Sequence, residues 1–302
     1  MKKITLTIGI PAHNEEANIG NLLNCISKQK LDNRFDLKEV IVACDGCTDG
    51  TSNVVLKNAI KNKKIKVIDD GKRIGKLSRL NNFYNTVKTQ LLVVFDADTL
   101  LKDNYTLNEI AKQFLDPQVG LVGGNDTPNI PRNIIEKIGE VWVRAWYKMR
   151  FKLNNGDTIH NHKGCVSAGR IEFLNKIKIP KNIFSDDDFL YFSCKKLGYK
   201  FKFAEKAVVY YHIPSTYKDY MTQTTRFLNL KHQIAKHFGD WVYEEYKVPL
   251  KNKIFGLVST FFENPLLMSL AVLFQLLQRL TKTMYIERYK GVSWTEIKSS
   301  KK

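Results

Sequence analysis

Leu91-Leu92-Val93-Val94-Phe95-Asp96-Ala97-Asp98-Thr99-Leu100 is an unbroken apolar run that meets two aspartates separated by one residue. Such a run reads as a strand buried on both faces, as in the centre of a parallel sheet. Residues i and i+2 of a strand point to the same side, so Asp96 and Asp98 are expected to project together from its carboxyl end. Open parallel sheets bind ligands at that edge. Two carboxylates there suit a hard divalent cation, Mg²⁺ or Mn²⁺, that shares its oxygen ligands with bound phosphates. A solvated strand end carries the same residues, so the surrounding chain has to decide.

Working outward, strand patterns fall at 4–10, 39–43, 65–68, 91–95 and 120–122. Helical patterns at 14–28, 51–62, 75–88 and 105–114 alternate with them. This rhythm predicts an α/β fold with a doubly wound, mostly parallel sheet flanked by helices. A helix is expected over 132–153, with Trp142 and Trp146 on one face as core residues, then a strand over 164–168. Ser185-Asp186-Asp187-Asp188 opens a further helix. Acidic residues in a first turn also complement the helix dipole, which is their plain structural role. A strand at 207–211 and one helix over 216–238, carrying Gln223, Arg226 and Phe227, complete the domain.

The 302 residues carry 48 Lys and Arg against 30 Asp and Glu, a net charge of +18. A basic chain seeks polyanions such as nucleic acid, anionic lipid or phosphorylated ligands. No zinc-finger or RNP-type signature accompanies the charge, so nucleic acid is not the expected partner. The five cysteines are odd in number and scattered, which fits reduced thiols better than a disulfide framework. Cys44-Asp45-Gly46-Cys47 has no second pair to complete a zinc site. The start of the chain alternates like a strand and soon meets Glu15 and Glu16, unlike a secretory signal.

Past residue 245 the composition changes, giving an expected division into a domain at 1–245 and a basic helical region at 246–302. From Lys247 onward there are ten Lys and Arg against three Glu. Apolar stretches at 254–262 and 266–280 flank Glu263-Asn264-Pro265. The second, at 15 residues, falls short of the roughly 20 needed to span a bilayer. Ala271, Gln275, Gln278, Arg279 and Lys282 form a polar stripe on it. With flanking lysines this predicts an interfacial or re-entrant anchor on an anionic membrane surface. A helical pair packed on the domain is the alternative.

Motifs stand at the ends of the predicted strands: Pro11-Ala12-His13-Asn14-Glu15-Glu16, Cys44-Asp45-Gly46-Cys47-Thr48-Asp49, Gly71-Lys72-Arg73-Ile74-Gly75-Lys76, Asp96-x-Asp98 and Gly123-Gly124. Asp186-Asp187 and Gln223-x-x-Arg226-Phe227 follow. In this order and spacing, over roughly residues 4–235, the set resembles the family 2 glycosyltransferases, which have the nucleotide-sugar-binding GT-A fold. A lone D-x-D would be weak evidence; the combination is specific.

The resemblance implies roles. Pro11, His13 and Glu15 line a nucleoside pocket, where His13 stands at a position commonly Tyr. Asp45 accepts from a uracil N–H, while Cys44 replaces a frequent aspartate. Lys72, Arg73 and Lys76 reach a diphosphate. Asp98 binds the metal, Asp96 holds the ribose or the metal's waters, and His212 is a third metal ligand. Asp187 is the base of an inverting transfer, with Asp186 tuning it. Gln223, Arg226 and Phe227 match a Gln-x-x-Arg-Trp motif of membrane-linked members, with Phe for Trp. The implied enzyme moves a sugar from a nucleoside diphosphate, UDP by expectation, to a hydroxyl of a lipid-linked or polysaccharide acceptor. It works at the cytoplasmic face of the membrane and adds one or a few sugars.

Three other classes compete. Asp96-x-Asp98-Thr99 also fits the nucleophile motif of haloacid-dehalogenase-like phosphatases, but that motif follows a first strand and here three strands precede it. A protein that only binds nucleotide-sugar should lack the base or the metal carboxylate, and both are present. Sugar nucleotidyltransferases open with a Gly-rich loop that His13-Asn14-Glu15-Glu16 does not supply.

Overall fold

The computed structural model describes residues 3–225, 230–280 and 299. Its centre is an eight-stranded sheet. The strands are β1 (Ile4–Ala12), β2 (Phe35–Cys44), β3 (Ile65–Asp69), β4 (Leu91–Phe95), β5 (Leu100–Leu101), β6 (Val119–Pro128), β7 (Val166–Arg170) and β8 (Lys200–Tyr211). They lie in the order β3-β2-β1-β4-β7-β6-β8-β5. β3, β2, β1 and β4 are mutually parallel, as the sequence rhythm predicts. β7 runs antiparallel to both neighbours, β4 and β6, and the short β5 is antiparallel to β8. The sheet is therefore mixed, with one reversed strand beside the central one.

Alternation within each strand builds two cores. Leu91, Val93 and Phe95 pack on one face with Val40 and Val42; Leu92 and Val94 pack on the other with Ile41 and Ala43. Helices α1 (Glu16–Ser27), α2 (Thr51–Lys61), α3 (Lys76–Thr86) and α4 (Thr106–Lys112) fill the first half of the chain. α1 contributes Ile19, Leu22 and Leu23 to the first core, and α3 contributes Leu77, Leu80 and Phe83 to the second.

The second half adds α5 (Ile134–Arg150), α6 (Ile171–Leu174), α7 (Asp186–Lys196), α8 (Tyr217–Thr225), α9 (Leu230–Phe238) and α10 (Val242–Glu245). The helix expected over 216–238 is thus described as two helices, α8 and α9. α7 lays Leu190, Tyr191 and Phe192 into the second core, which fixes its amino end over the sheet edge.

The chain then forms a hairpin of α11 (Leu250–Glu263) and α12 (Pro265–Leu280). No described helix is long and apolar enough to cross a membrane. The hairpin packs against α5 through Val141, Ala145, Met149, Val248 and Met268, with Trp142 and Trp146 beside them. A Cβ on Gly256 would lie 2.7 Å from the Ala145 carbonyl, so only glycine permits this approach. Glu263 pairs with Arg144 and Lys148 at 3.3 and 2.5 Å.

Part of the polar stripe of α12 faces the protein, while Arg279 is exposed. Ala271 and Gln278 are buried, and the Gln275 amide donates to the Tyr220 hydroxyl at 3.1 Å. Lys282 lies outside the described residues.

Candidate active site

The loops after β1 and β2 are sewn together by side chains on backbone groups. Asn14 sits in the left-handed region (φ 53°), which asparagine tolerates, and its Oδ1 accepts from the Thr48 N–H at 2.8 Å. A Glu16 carboxylate oxygen accepts from the Gly50 N–H at 2.9 Å. Glu15 is buried: its N–H donates to Thr51 Oγ1 at 2.8 Å, and its carboxylate accepts from Asn18 at 2.9 Å. Pro11 is half-buried at the end of β1.

Asp45 anchors the next loop. Its Oδ1 accepts from the Ile74 N–H at 2.9 Å and from Arg79 Nε at 3.0 Å, and Oδ2 accepts from the Gly75 N–H at 3.0 Å. The turn needs Gly75 at φ 89°, which is open to a glycine and strained for other residues. Arg79 is 1 % exposed, and its remaining nitrogens reach Asp70 at 2.7 and 3.0 Å and the Lys72 carbonyl at 2.6 Å. The Arg79 hydrogen bonds hold the Asp70 carboxyl well below the usual carboxylate range. The 71–75 turn thus rides on a buried ion-pair network, and it delivers Arg73 against His13, which is hydrogen-bonded to it. His13 Nδ1 lies 2.8 Å from the Asp45 carbonyl. Three predicted residues from three loops therefore meet, and Lys72 stands exposed beside them.

The acidic residues converge one strand away. β4 ends at Phe95, so Asp96-Ala97-Asp98 is a turn rather than the strand end expected from alternation. The turn closes on Thr99, whose N–H and hydroxyl reach the Asp96 carbonyl at 3.2 and 2.7 Å. Ala97 and Thr99 are buried between the half-exposed Asp96 and Asp98, so the two carboxylates still share the outer side.

Asp186 and Asp187 arrive on the first turn of α7. Ser185 caps that helix by accepting from the Asp188 N–H at 3.1 Å and donating to the Asp188 carboxylate at 2.9 Å. Tyr246 takes the other Asp188 oxygen, leaving Asp188 a structural residue. Lys76, the first residue of α3, places its ammonium 2.8 Å from Asp96 and 3.5 Å from Asp186. A Cβ built on Gly164 would lie 3.1 Å from Asp187 Oδ2 and 3.6 Å from Asp96 Oδ2, so those two carboxylates flank one point.

Burial first, then like charge, sets the protonation here. Asp96 is pushed up to about 6 by burial, against the pull of Lys76 and with Asp98 adding repulsion. Burial and Asp186 hold Asp187 well above the usual carboxylate range. Lys76 is kept charged because Asp186, Asp96 and Asp187 outweigh its burial.

His162, which sequence reasoning missed, supports this turn from below. It is buried between the Asp187 carbonyl and the Ser167 hydroxyl, each 2.8 Å away, and burial lowers it to about 4.

Among the described residues no three His, Cys, Asp or Glu side chains are grouped to hold an ion, so His212 is not joined to Asp96 and Asp98 in such a group. Its ring lies 3.5 Å from the Asn129 amide, and burial and Arg132 lower its pKa while Glu136 opposes them. Gln223 lies in α8, whereas Arg226 and Phe227 lie outside the described residues. The remaining donors still fit a hard cation. Asp96 and Asp98 offer oxygen ligands on the outer side of one turn, where Asp96 and Asp186 share the single ammonium of Lys76. Magnesium-type ions are commonly held by one or two carboxylates plus substrate phosphates rather than by an all-protein cage.

A parallel sheet core whose carboxyl edge gathers a basic turn, an acidic turn and an acidic helix start defines a GT-A glycosyltransferase. Residues 5–229 match the family described as "Glycosyltransferase like family 2", and the chain belongs to that family. It is 21% identical over 263 residues to the poly-beta-1,6-N-acetyl-D-glucosamine synthase of Staphylococcus aureus (strain COL), covering 85% of this chain and 60% of that protein. The chain thus spans about 60% of the length of the curated relatives it matches first. Among solved structures, it resembles the Pyrobaculum calidifontis mannosyltransferase PcManGT in complex with GDP-Man and Mn²⁺, with a TM-score of 0.58 and 18% identity. That match covers 97% of this chain and 82% of the other. S. aureus TarS in complex with UDP-GlcNAc gives 0.53 and 19%, covering 97% and 90%. These likenesses establish the fold, and the family match sets the phosphatase reading aside.

Proposed function

We propose that this enzyme transfers a sugar, with inversion, from a nucleoside diphosphate to a hydroxyl of a lipid-linked or polysaccharide acceptor at an anionic membrane surface. The observation that carries the reading is the convergence of Asp96, Asp186 and Asp187 with Lys76 at the carboxyl edge of the sheet. His13, Arg73 and the turn pinned by Asp45 form the nucleoside side of the site. Lys72, Arg73 and Lys76 supply cationic groups for the diphosphate, where ammonium and guanidinium pair with phosphate oxygens. Asp98 and Asp96 would hold Mg²⁺ or Mn²⁺, which when bound supplies positive charge beside the departing diphosphate.

Asp187 takes the acceptor proton. A carboxylate held above its ordinary range is a stronger base near neutral pH, and burial with Asp186 alongside provides that shift. Asp186 also holds Lys76, so it positions the donor side while tuning the base. UDP is favoured as the nucleotide because TarS has been solved with UDP-GlcNAc, although PcManGT was solved with GDP-Man, and both bases belong in the test.

Membrane attachment rests on the outer face of the α11–α12 hairpin. Phe255, Phe262, Leu266 and Leu280 are 62, 78, 72 and 78 % exposed, and exposed Lys251 and Lys253 stand at its base. Apolar side chains rimmed by cations match the interfacial region of an anionic bilayer. The cytoplasmic face, where nucleotide sugars are made, is the side this arrangement would occupy.

The test is release of UDP from UDP-sugars in the presence of acceptor glycolipid, by the wild type and by Asp187→Asn. Transfer that is lost in a variant still binding UDP supports the reading; robust transfer by Asp187→Asn removes Asp187 as the base.

A further inference from the structure

Lys76 binds three elements that the sequence leaves far apart. Its backbone opens α3 directly after the turn held by Asp45 and Arg79, while its ammonium reaches the β4 turn at Asp96 (2.8 Å) and the start of α7 at Asp186 (3.5 Å). The side chain is 17 % exposed and Asp186 only 7 %, so this is an enclosed contact rather than a surface pair. Asp96 is also a residue expected to face a divalent cation. Asp96 itself is 30 % exposed, and an ammonium and a divalent cation sharing that one carboxylate repel each other at short range.

We propose that Lys76 is a built-in counter-ion: it holds the acidic site together before the donor arrives and moves from Asp96 and Asp186 to the donor's diphosphate when the donor binds. This rests on the donor reading given above. The base of the lysine is rigid, fixed by Gly75 and Asp45, whereas its four-carbon stem carries a compact charge with freely rotating donors. The side chain can therefore change partners without any shift of α3. Before exchange, the one ammonium offsets part of the charge of Asp96 and Asp186 and the β4 turn stays tied to α7. After exchange, Asp96 is released to face the cation, Asp186 and Asp187 keep their place on α7, and the ammonium meets phosphate oxygens.

One consequence is a linkage. Metal alone must compete with Lys76, whereas metal with a nucleoside diphosphate gives Lys76 a new partner, so the two ligands favour each other reciprocally.

The experiment counts free Mn²⁺ by electron paramagnetic resonance in titrations of the full chain, with and without UDP. Wild type, Lys76→Met and Lys76→Arg are compared, with near-ultraviolet circular dichroism checking the fold. Lys76→Met is expected to bind Mn²⁺ alone about tenfold tighter than wild type and to lose most of the enhancement by UDP. Lys76→Arg keeps the charge and should keep the weak binding. A folded Lys76→Met that binds Mn²⁺ no tighter than wild type overturns the proposal. Should Lys76→Met fail to fold, Lys76→Gln takes its place in the same comparison, and wild-type Mn²⁺ affinity unchanged by UDP overturns the exchange in either case. Wild type that binds no nucleotide strikes the donor reading itself, which is a separate failure.

Discussion

At the carboxyl edge of the sheet, charged side chains turn inward and find partners, whereas in the α11–α12 hairpin large apolar side chains turn outward and part of the polar stripe is hidden. Arg79, Asp45 and Asp70 form one inward network, and Lys76, Asp96 and Asp186 form another. The hairpin instead buries Gln278 and sends Phe255, Phe262 and Leu266 toward the surroundings. Burying charge is costly unless it is paired, and exposing apolar surface is costly unless something covers it. Both regions depart from the usual arrangement, and the proposed function gives each a ligand: a charged one at the edge, an apolar surface at the hairpin.

The largest effect is expected at the edge. Asp187→Asn should lower the transfer rate by about 10³-fold, within the range for losing a general base, while UDP affinity measured by calorimetry stays near wild type. Next, Arg79→Ala removes the ion-pair partner of the buried Asp45. Urea unfolding should show a loss of about 3–5 kcal/mol, as for other broken buried pairs. If stability is unchanged, the edge is not held by that network.

His160 and His162 give a pH signature. Burial depresses them to about 3 and about 4 from 6.5, so the unfolded chain binds more protons between those limits. Their contribution to stability is therefore present above pH 6.5 and is lost as the pH falls through that window. His162→Gln should reduce the dependence of unfolding free energy on pH between about 6.5 and 4 relative to wild type. An identical slope would mean that His162 is charged in the folded protein.

The hairpin carries the smaller effect. Replacing Phe255 and Phe262 together by Ser should weaken binding to vesicles containing anionic lipid by about tenfold or more, since each apolar side chain contributes about 1.5–3 kcal/mol when buried. Soluble donor binding should not change. Undiminished vesicle binding would break the comparison, because the outward face would then have no membrane role.

Much of this was legible in the residues, for identifiable reasons. β1 to β4 announce themselves because strands buried on both faces are continuous apolar runs, and the motif at each strand end follows from where that run stops. The direction of β7 was not legible: Val166–Arg170 is a five-residue strand, and an apolar run has no sign. The strand over 91–95 was legible but the turn that follows it was not, because burial still alternates through Thr99 after the ladder ends. Lys76 could be picked out beside Gly75, but its pairing with Asp186, 110 positions away, is a property of the fold. Arg79 has a readable signal in retrospect, a lone arginine on the apolar face of α3 between Leu77, Leu80 and Phe83. His162 has none, since its role depends on a backbone carbonyl across a loop. In α12 periodicity revealed a polar stripe but not which side it faces, because a moment has direction only relative to neighbours.

The most direct test of the donor site is calorimetric titration of the wild-type chain with UDP, GDP and CDP, each with Mn²⁺ and with EDTA. The proposed function predicts metal-dependent binding of UDP in preference to the other two. Absence of binding by any nucleotide to well-folded protein would contradict the assignment of the carboxyl edge as a nucleotide-sugar site.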